Sequence, residues 1–573
     1  MLAALCAWIP QIAPAAEIRA LYFSNVRMRD GVRLAADVYL PGQEGRYPTI
    51  ISRIPYDPRF KNEIEFARMM AEDGYAVVVN HCRGRYDSQG RFSPFKQEWK
   101  DGYDAVEWIV RQPWSNGKVA MIGASYSGMA AWQLAVSRHP NLKAIFALVA
   151  PADLYRDITY PGGAFCLQTN CWWFSLVDRR TVQDWRFNDW NESMKHLPEL
   201  TIDRELGRSL PVLRDFMKHP AYGPYWRSHY SMDGRYGQVD VPCFLVGGWN
   251  DPLVRGVLDT YSGERRALQS GSGETSRVQA LVGPWDHFGA ITGQGTVYGD
   301  IDYGRTAAVD VWSLAHAWFD RWLKGKEPAS WQRSPLRYFV TGINEWKDGA
   351  DWPPAFSVEE SWYLHSSGRA NTSGGDGRLS RETPKSERED TYTYDPQSPV
   401  PSLVSRHILT GSAVKDIQAI EKRKDVLVYT SDVLSEDLTV AGNPRLELTF
   451  KTDVRDTDFS AWLTEVLPDG RSMSLEDGIV RCSRYLRPRS SCGVLEPGKA
   501  YTVSVELGSL AHVFKSGNRV RVNVSSSSFP AFDRNLNTGG ENWNETESKI
   551  AHQVVMHDDG HRSRLILPVS HSL

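Results

Sequence analysis

A short apolar run, Lys118-Val119-Ala120-Met121-Ile122, passes directly into a helical repeat, and the hinge between them reads Gly123-Ala124-Ser125-Tyr126-Ser127-Gly128. Beyond the hinge, Met129, Trp132, Gln133, Leu134 and Val136 recur at helical spacing up to a stop at His139-Pro140. A strand that turns this sharply into a helix needs small residues at the bend and holds its central side chain exposed on a strained backbone. The helix start then offers unpaired N–H groups to an oxyanion. Ser125 is accordingly the candidate nucleophile.

Serine is inert near neutral pH without a base, so a histidine and an orienting carboxylate must follow, each after a strand. The run Pro242-Cys243-Phe244-Leu245-Val246-Gly247-Gly248 reads as a buried strand ending in Trp249-Asn250-Asp251. Val278-Gln279-Ala280-Leu281-Val282 reads as another, ending in Gly283-Pro284-Trp285-Asp286-His287. In a parallel sheet such strand ends lie along one edge, which would bring Ser125, Asp251 and His287 together. His287 would then take the Ser125 proton, and Asp251 would fix the imidazole tautomer. Each motif has a plainer reading: Gly and Ser build ordinary turns, Asp251 precedes Pro252, and Asp286 is a rival carboxylate beside the histidine. The order Ser, Asp, His after three strand-like runs favours the catalytic reading.

Patterning divides the chain into regimes. From Glu17 to Ala150, strand-like runs such as Tyr75–Val79 alternate with helical ones such as Asp104–Val110, and a helix around Ile64, Ala67, Met70 and Ala71 closes at Gly74, which predicts an α/β fold with a parallel sheet. Between Asp153 and Gln238 strands vanish and aromatics crowd (Trp172, Trp173, Phe174, Trp185, Trp190, Tyr222, Tyr225, Trp226), as expected of a helical insertion over the active-site edge. After a helix from Val311 to Lys324, alternation dominates: Leu446–Phe450, Tyr501–Val505 and Val520–Val524 each turn one face inward, which predicts a β-sandwich. The polar, glycine-rich stretch Gly368–Glu389 reads as an exposed loop. The expected division is 17–152 with 240–345 for the α/β domain, 153–239 for the helical cap and 346–573 for the β domain.

With 66 Lys+Arg against 69 Asp+Glu the net charge is −3, and no basic face points to nucleic acid. No apolar run is long enough to span a bilayer. Residues 1–16 read as a signal peptide lacking its basic start, with a plain apolar extension as the alternative; export to the periplasm or medium is the expectation, the cytoplasm its alternative. Among 7 cysteines, Cys166 with Cys171 and Cys482 with Cys492 are close enough for short disulfide loops that would fit export. His552, His557 and His561 cluster in sequence without metal-ligand spacing, so neither a metal nor, in the absence of a phosphate or dinucleotide fingerprint, a cofactor is expected.

The three triad motifs resemble those of the cocaine esterase (CocE/NonD) and X-prolyl dipeptidyl-peptidase group of α/β-hydrolases. So do the connecting segments Arg83–Gly90, Gln112–Lys118 and Ala152–Arg156, in the same order. The resemblance covers nearly everything after the first twenty or so residues. It implies an α/β-hydrolase domain with an inserted cap, followed by a C-terminal jelly roll. Ser125, Asp251 and His287 become nucleophile, acid and base, and the oxyanion hole pairs the backbone N–H of Tyr126 with the hydroxyl of Tyr56 from the segment Arg53-Ile54-Pro55-Tyr56-Asp57. The implied reaction is cleavage of an ester or amide acyl bond through an acyl-enzyme, first as a carboxylesterase or acylase and second as an X-prolyl dipeptidyl-peptidase or aminopeptidase. The implied substrates are small esters, amides or short peptides, and a homo-oligomer is admitted. An ammonium-bearing substrate would need buried carboxylates near the nucleophile; Asp153, Asp157 and other cap acids are at hand, with solvation at the surface as their plainer reading. The outlying alternative is a non-catalytic carbohydrate-binding protein, suggested by the β domain and the tryptophan content.

Overall fold

The computed structural model describes residues 17–184, 190–270, 277–328, 334–403, 408, 414–486 and 494–571. The expected leader, residues 1–16, lies outside them, as do Trp185 and Cys492.

The first half is built on one ten-stranded sheet. Its leading elements are β1 (Ile18–Arg27), β2 (Arg33–Pro41), β3 (Tyr47–Ile54), α1 (Lys61–Glu72), β4 (Ala76–His81), α2 (Glu98–Val110), β5 (Ser115–Ala124), α3 (Tyr126–Val136) and β6 (Leu142–Leu148). After the insertion come β7 (Cys243–Asn250), the helix Val254–Ser270, β8 (Val278–Asp286), the helix Val311–Lys324 and a hairpin of Leu336–Val340 with Glu345–Gly349. The spatial order is β1-β2-β4-β3-β5-β6-β7-β8, with the hairpin completing the far edge. Pairing is parallel from β4 through β8 to Leu336–Val340 and antiparallel at both ends.

The central strands are covered on both faces, which is why they read as unbroken apolar runs. Met121, Ile145 and Leu245 face one core with Trp132 and Leu134 of α3, while Ile122, Phe146 and Phe244 face the other with Trp318 and Phe319. The helix Val311–Lys324 has the predicted bounds: Asp310 caps its start through Ser313 N, and Gly325 at φ +71° ends it in the left-handed conformation. At α1, Gly74 holds φ +83° just past the last turn, as its position implied.

One core residue carries a pH dependence. Glu264, on the helix Val254–Ser270, is 1 % exposed. Burial pushes its carboxyl up to about 9. Its folded pKa exceeds the unfolded value near ~4.3, so the folded state holds the proton over the interval between them and stability falls as pH rises through it. Glu264→Gln should remove that slope: thermal melts matching wild type near pH 4.5, with the variant gaining on the order of 5 °C by pH 9. Parallel profiles for the two proteins would show that Glu264 is ionised in the fold.

Residues 153–239 form short helices, among them α4 (Leu167–Val177), Pro211–Met217 and Pro224–His229, with no strand longer than the single bridge Asp153–Ser231 among the described residues. Most of the aromatics noted in the sequence pack on one another here; Trp226, for instance, lies between Tyr155 and Phe216.

The second half is almost entirely β. The strands Arg445–Thr452, Tyr501–Glu506 and Arg519–Ser525 contain the three alternating runs, and Leu446, Leu448, Phe450, Val503, Val505, Val520, Val522 and Val524 all enter one apolar core. The segment read as a loop, 368–389, carries the short strand Arg378–Ser380 between Ser357–His365 and Leu427–Ser431. The disulfide expectation is corrected. Cys166 stands before α4 and Cys171 within it; both are free, as is Cys482.

Candidate active site

Ser125 sits between β5 and α3 with its backbone at φ +57°, a conformation that costs a residue bearing a Cβ about 1–3 kcal/mol. The fold holds it there from both sides: its N–H donates to Leu148 O at 2.9 Å, and its carbonyl accepts from Met129 N at 3.0 Å. The flanking glycines are required by space. A Cβ on Gly123 would lie 2.3 Å from the Ser127 backbone, and one on Gly128 2.8 Å from the Ala150 side chain.

Asp251 follows β7 and is fully buried. Its Oδ1 lies 2.9 Å from His287 Nδ1. A carboxylate oxygen only accepts, so the shared proton belongs to Nδ1, and in the neutral imidazole the lone pair lies on Nε2. β7 and β8 approach closely enough here that a Cβ on Gly248 would fall 2.2 Å from Trp285 O. The rival carboxylate is otherwise engaged: Asp286 Oδ1 accepts from Gly289 N at 2.6 Å and turns the chain after β8.

Ser125, His287 and Tyr56 line one cavity of about 480 Å³. Asp251 stands behind the imidazole rather than in the cavity wall. The Tyr56 hydroxyl accepts from Trp173 Nε1 at 3.0 Å, which leaves its own proton free to donate. Burial pushes the phenol up, opposed by hydrogen bonding with Trp173, the Arg85 charge and hydrogen bonding with Ser125. Tyr126 is the first residue of α3, where a backbone N–H has no partner within the helix. Its side chain turns into the core, the hydroxyl donating to Glu98 Oε1 at 2.9 Å and accepting from Phe95 N at 3.1 Å. Glu98 in turn accepts from Arg53 Nη2 at 2.7 Å. The Arg53–Glu98 pair, wholly buried under the elbow, escaped the sequence reading, and so did the Trp173 contact.

Apolar side chains make up most of the remaining wall: Phe66, Ile122, Trp172, Leu176 and Trp312, with Ile408 reaching in from the second half. Asp153 and Asp157, read as available acids with surface solvation as their plainer state, are instead buried, and neither lines this cavity. Asp153 accepts from Tyr155 N, Arg156 N and the Tyr222 hydroxyl. Asp157 accepts from Ala152 N and Asp153 N, and burial pushes it up to about 7. The three C-terminal histidines also have separate partners, His552 with Asp453, His557 with Asp390 and His561 with Asp558. Among the described residues no helix is long and apolar enough to cross a membrane.

Residues 30–289 match the family of X-Pro dipeptidyl-peptidases (S15 family), and residues 329–566 match the X-Pro dipeptidyl-peptidase C-terminal non-catalytic domain. The chain is 35% identical to cocaine esterase of Rhodococcus sp. (strain MB1 Bresler) over 95% of its own length and 97% of that protein's. Among solved structures, an α-amino acid ester hydrolase superposes with a TM-score of 0.84 at 24% identity, covering 98% of this chain and 99% of that one. An aminopeptidase from a marine-sediment Thaumarchaeota archaeon superposes with a TM-score of 0.83 at 24% identity over 98% of each chain; both likenesses speak for the fold. By its matched segments and its full-length likeness to an esterase, the chain belongs to the S15 family and is an α/β-type serine hydrolase.

Proposed function

We propose that Ser125 is the nucleophile, His287 the general base and acid, and Asp251 the acid that orients His287, and that together they cleave a carboxylic ester. The observation that carries this reading is the Asp251–His287 hydrogen bond, which presents Nε2 to the cavity that also holds Ser125 on its strained elbow. In sequence, Ser125 Oγ loses its proton to His287 Nε2 as it attacks the ester carbonyl, and the imidazolium returns it to the leaving alkoxide. Water then repeats the cycle on the acyl-enzyme. The Tyr56 hydroxyl and the Tyr126 N–H are the two donors for the tetrahedral oxyanion. Residues 153–239 act as a helical cap, its Trp172 and Trp173 closing the cavity, and residues 346–573 form a jelly roll.

Esters come first because the wall around Ser125 is largely apolar and the full-length relative is an esterase. Cleavage after an X-Pro dipeptide is the second reading, supported by the family match. Assaying p-nitrophenyl esters beside an X-Pro-p-nitroanilide separates them. Ester turnover with negligible anilide turnover is expected; the reverse would move the protein to the peptidase branch.

Tyr56→Phe removes one oxyanion donor, and with it the acceptor of the Trp173 Nε1–H. A fall in kcat of about 10²–10³, with little change in KM, is expected on p-nitrophenyl esters. An equal rise in KM with kcat intact would instead give Tyr56 a role in ground-state binding.

A further inference from the structure

A single guanidinium ties together the two segments that hold the Tyr56 hydroxyl. Arg85 lies in the loop after β4 and is fully buried. Its Nε donates to Pro55 O at 2.6 Å, the carbonyl next to the Tyr56 nitrogen, and its Nη1 donates to Val177 O at 2.9 Å, at the last residue of α4. α4 also carries Trp173, whose Nε1 reaches the Tyr56 hydroxyl. The contacts close a ring through Arg85, Tyr56, Trp173 and the end of α4. Its neighbours Arg53 and Arg83 each meet a buried carboxylate, Glu98 and Asp101. Among the described residues Arg85 forms no ion pair, and its Nη2 has no hydrogen-bond partner. An arginine keeps its charge inside a protein, so this one is buried as a cation. The carbonyl at the end of a helix eases that burial with partial negative charge, as does the Phe92 ring 5.3 Å away, but neither neutralises it. Burial pushes the Tyr56 phenol up, and the Arg85 charge is among the effects that oppose it.

We propose that Arg85 is a positioning residue for the oxyanion step: it locks Tyr56 against Trp173 and lends an unneutralised positive charge to the side of the site where the tetrahedral oxygen forms. The inference rests on the reading of Tyr56 as an oxyanion donor given above. It goes beyond that reading by assigning part of the donor's effect to a group outside the cavity wall. Arg85 also has a plainer duty, capping the last carbonyl of α4, which would hold the helix in place without favouring the transition state. The two roles part when the Tyr56 hydroxyl is removed.

The test is a double-mutant cycle on p-nitrophenyl esters, with Arg85→Met placed in wild type and in Tyr56→Phe. With Tyr56 present, Arg85→Met should lower kcat about tenfold or more while KM moves by less than about twofold. In the Tyr56→Phe background the same change should cost less than about threefold, because the donor it acts through is absent. Arg85→Lys keeps a charge but not the clamp on both carbonyls, so its kcat should fall between wild type and Arg85→Met. Its own cycle with Tyr56→Phe decides the matter where the methionine variant folds poorly. Affinity for a trifluoromethyl ketone, whose adduct with Ser125 carries the oxyanion, should drop by the same factor and with the same dependence on Tyr56, without turnover. Equal losses in both backgrounds, or a loss below about threefold with Tyr56 present, overturn the proposal and leave Arg85 the capping role. If wild type cleaves the X-Pro-p-nitroanilide instead, the ester reading fails alone, and the cycle is read on the anilide by the same criteria. If Tyr56→Phe by itself costs less than about threefold, the oxyanion role of Tyr56 fails and the proposal with it.

Discussion

Ser125→Ala is expected to lower kcat on p-nitrophenyl esters by about 10⁶, leaving only the residual rate that binding and the oxyanion donors supply. The size of this loss follows from the site having one group able to form the acyl-enzyme. Among the described residues, the other hydroxyls in the wall around His287 are Ser52, Ser127 and the phenol of Tyr56. Ser127 lies within α3 and lacks the elbow conformation, whereas Ser125 is held at φ +57° by hydrogen bonds to Leu148 and Met129. A fluorophosphonate probe gives an independent reading, because it traps an activated serine whether or not a good substrate is known. Wild type should label and Ser125→Ala should not. Labelling that survives the substitution, or a loss below about tenfold, would place the nucleophile elsewhere.

The second large effect is expected at Asp251. Asp251→Asn keeps the volume of the side chain but puts an N–H₂ where the imidazole now finds an acceptor. His287 can then accept at Nδ1, which moves its proton to Nε2 and leaves Ser125 facing a donor in place of a base. Loss of about 10⁴ in kcat with an unchanged KM is the expected signature. The chain should still fold, because Asp251 N–H keeps its bond to Gly248 O and the substitution adds no bulk. If Asp286 were the working acid, Asp286→Asn would give the larger loss. Its bond to Gly289 N predicts instead a modest effect through the turn after β8.

The placing of Ser125, Asp251 and His287 along one edge was legible in the sequence because parallel pairing does the convergence: β5, β7 and β8 point the same way, so residues just past their ends share that edge. The sequence reading preferred Asp251 and kept Asp286 as its rival, since both follow or end a strand; side-chain direction separates them, Asp251 toward His287 Nδ1 and Asp286 toward Gly289 N. The alternating runs of the second half were legible for the same reason as the central strands, a fixed period facing one core. What stayed hidden depends on contacts between distant segments. Arg53 is the one charged residue in its strand, and nothing local shows that Glu98 neutralises it. Cys166 and Cys171 suggested a loop-closing bond by spacing alone, and the start of α4 between them keeps both thiols free.

The hairpin that completes the ten-stranded sheet also joins it to the second half. Thr341, just beyond Val340, bridges to His512; its N–H donates to Ala511 O at 3.0 Å, and its carbonyl accepts from Val513 N at 2.9 Å. Ala441, Ala511 and Val513 belong to the same apolar core as Met121 and Trp132 of the catalytic sheet. A gene cut between the two matched segments would leave Leu336–Val340 and Thr341 with the second product, stripping from the first the strand that pairs with β8 and from each a part of the shared core. Over evolutionary time the two modules would be inherited and diversified together, and recombination that exchanges one with a distant relative must preserve the fit of Leu336–Val340 against β8.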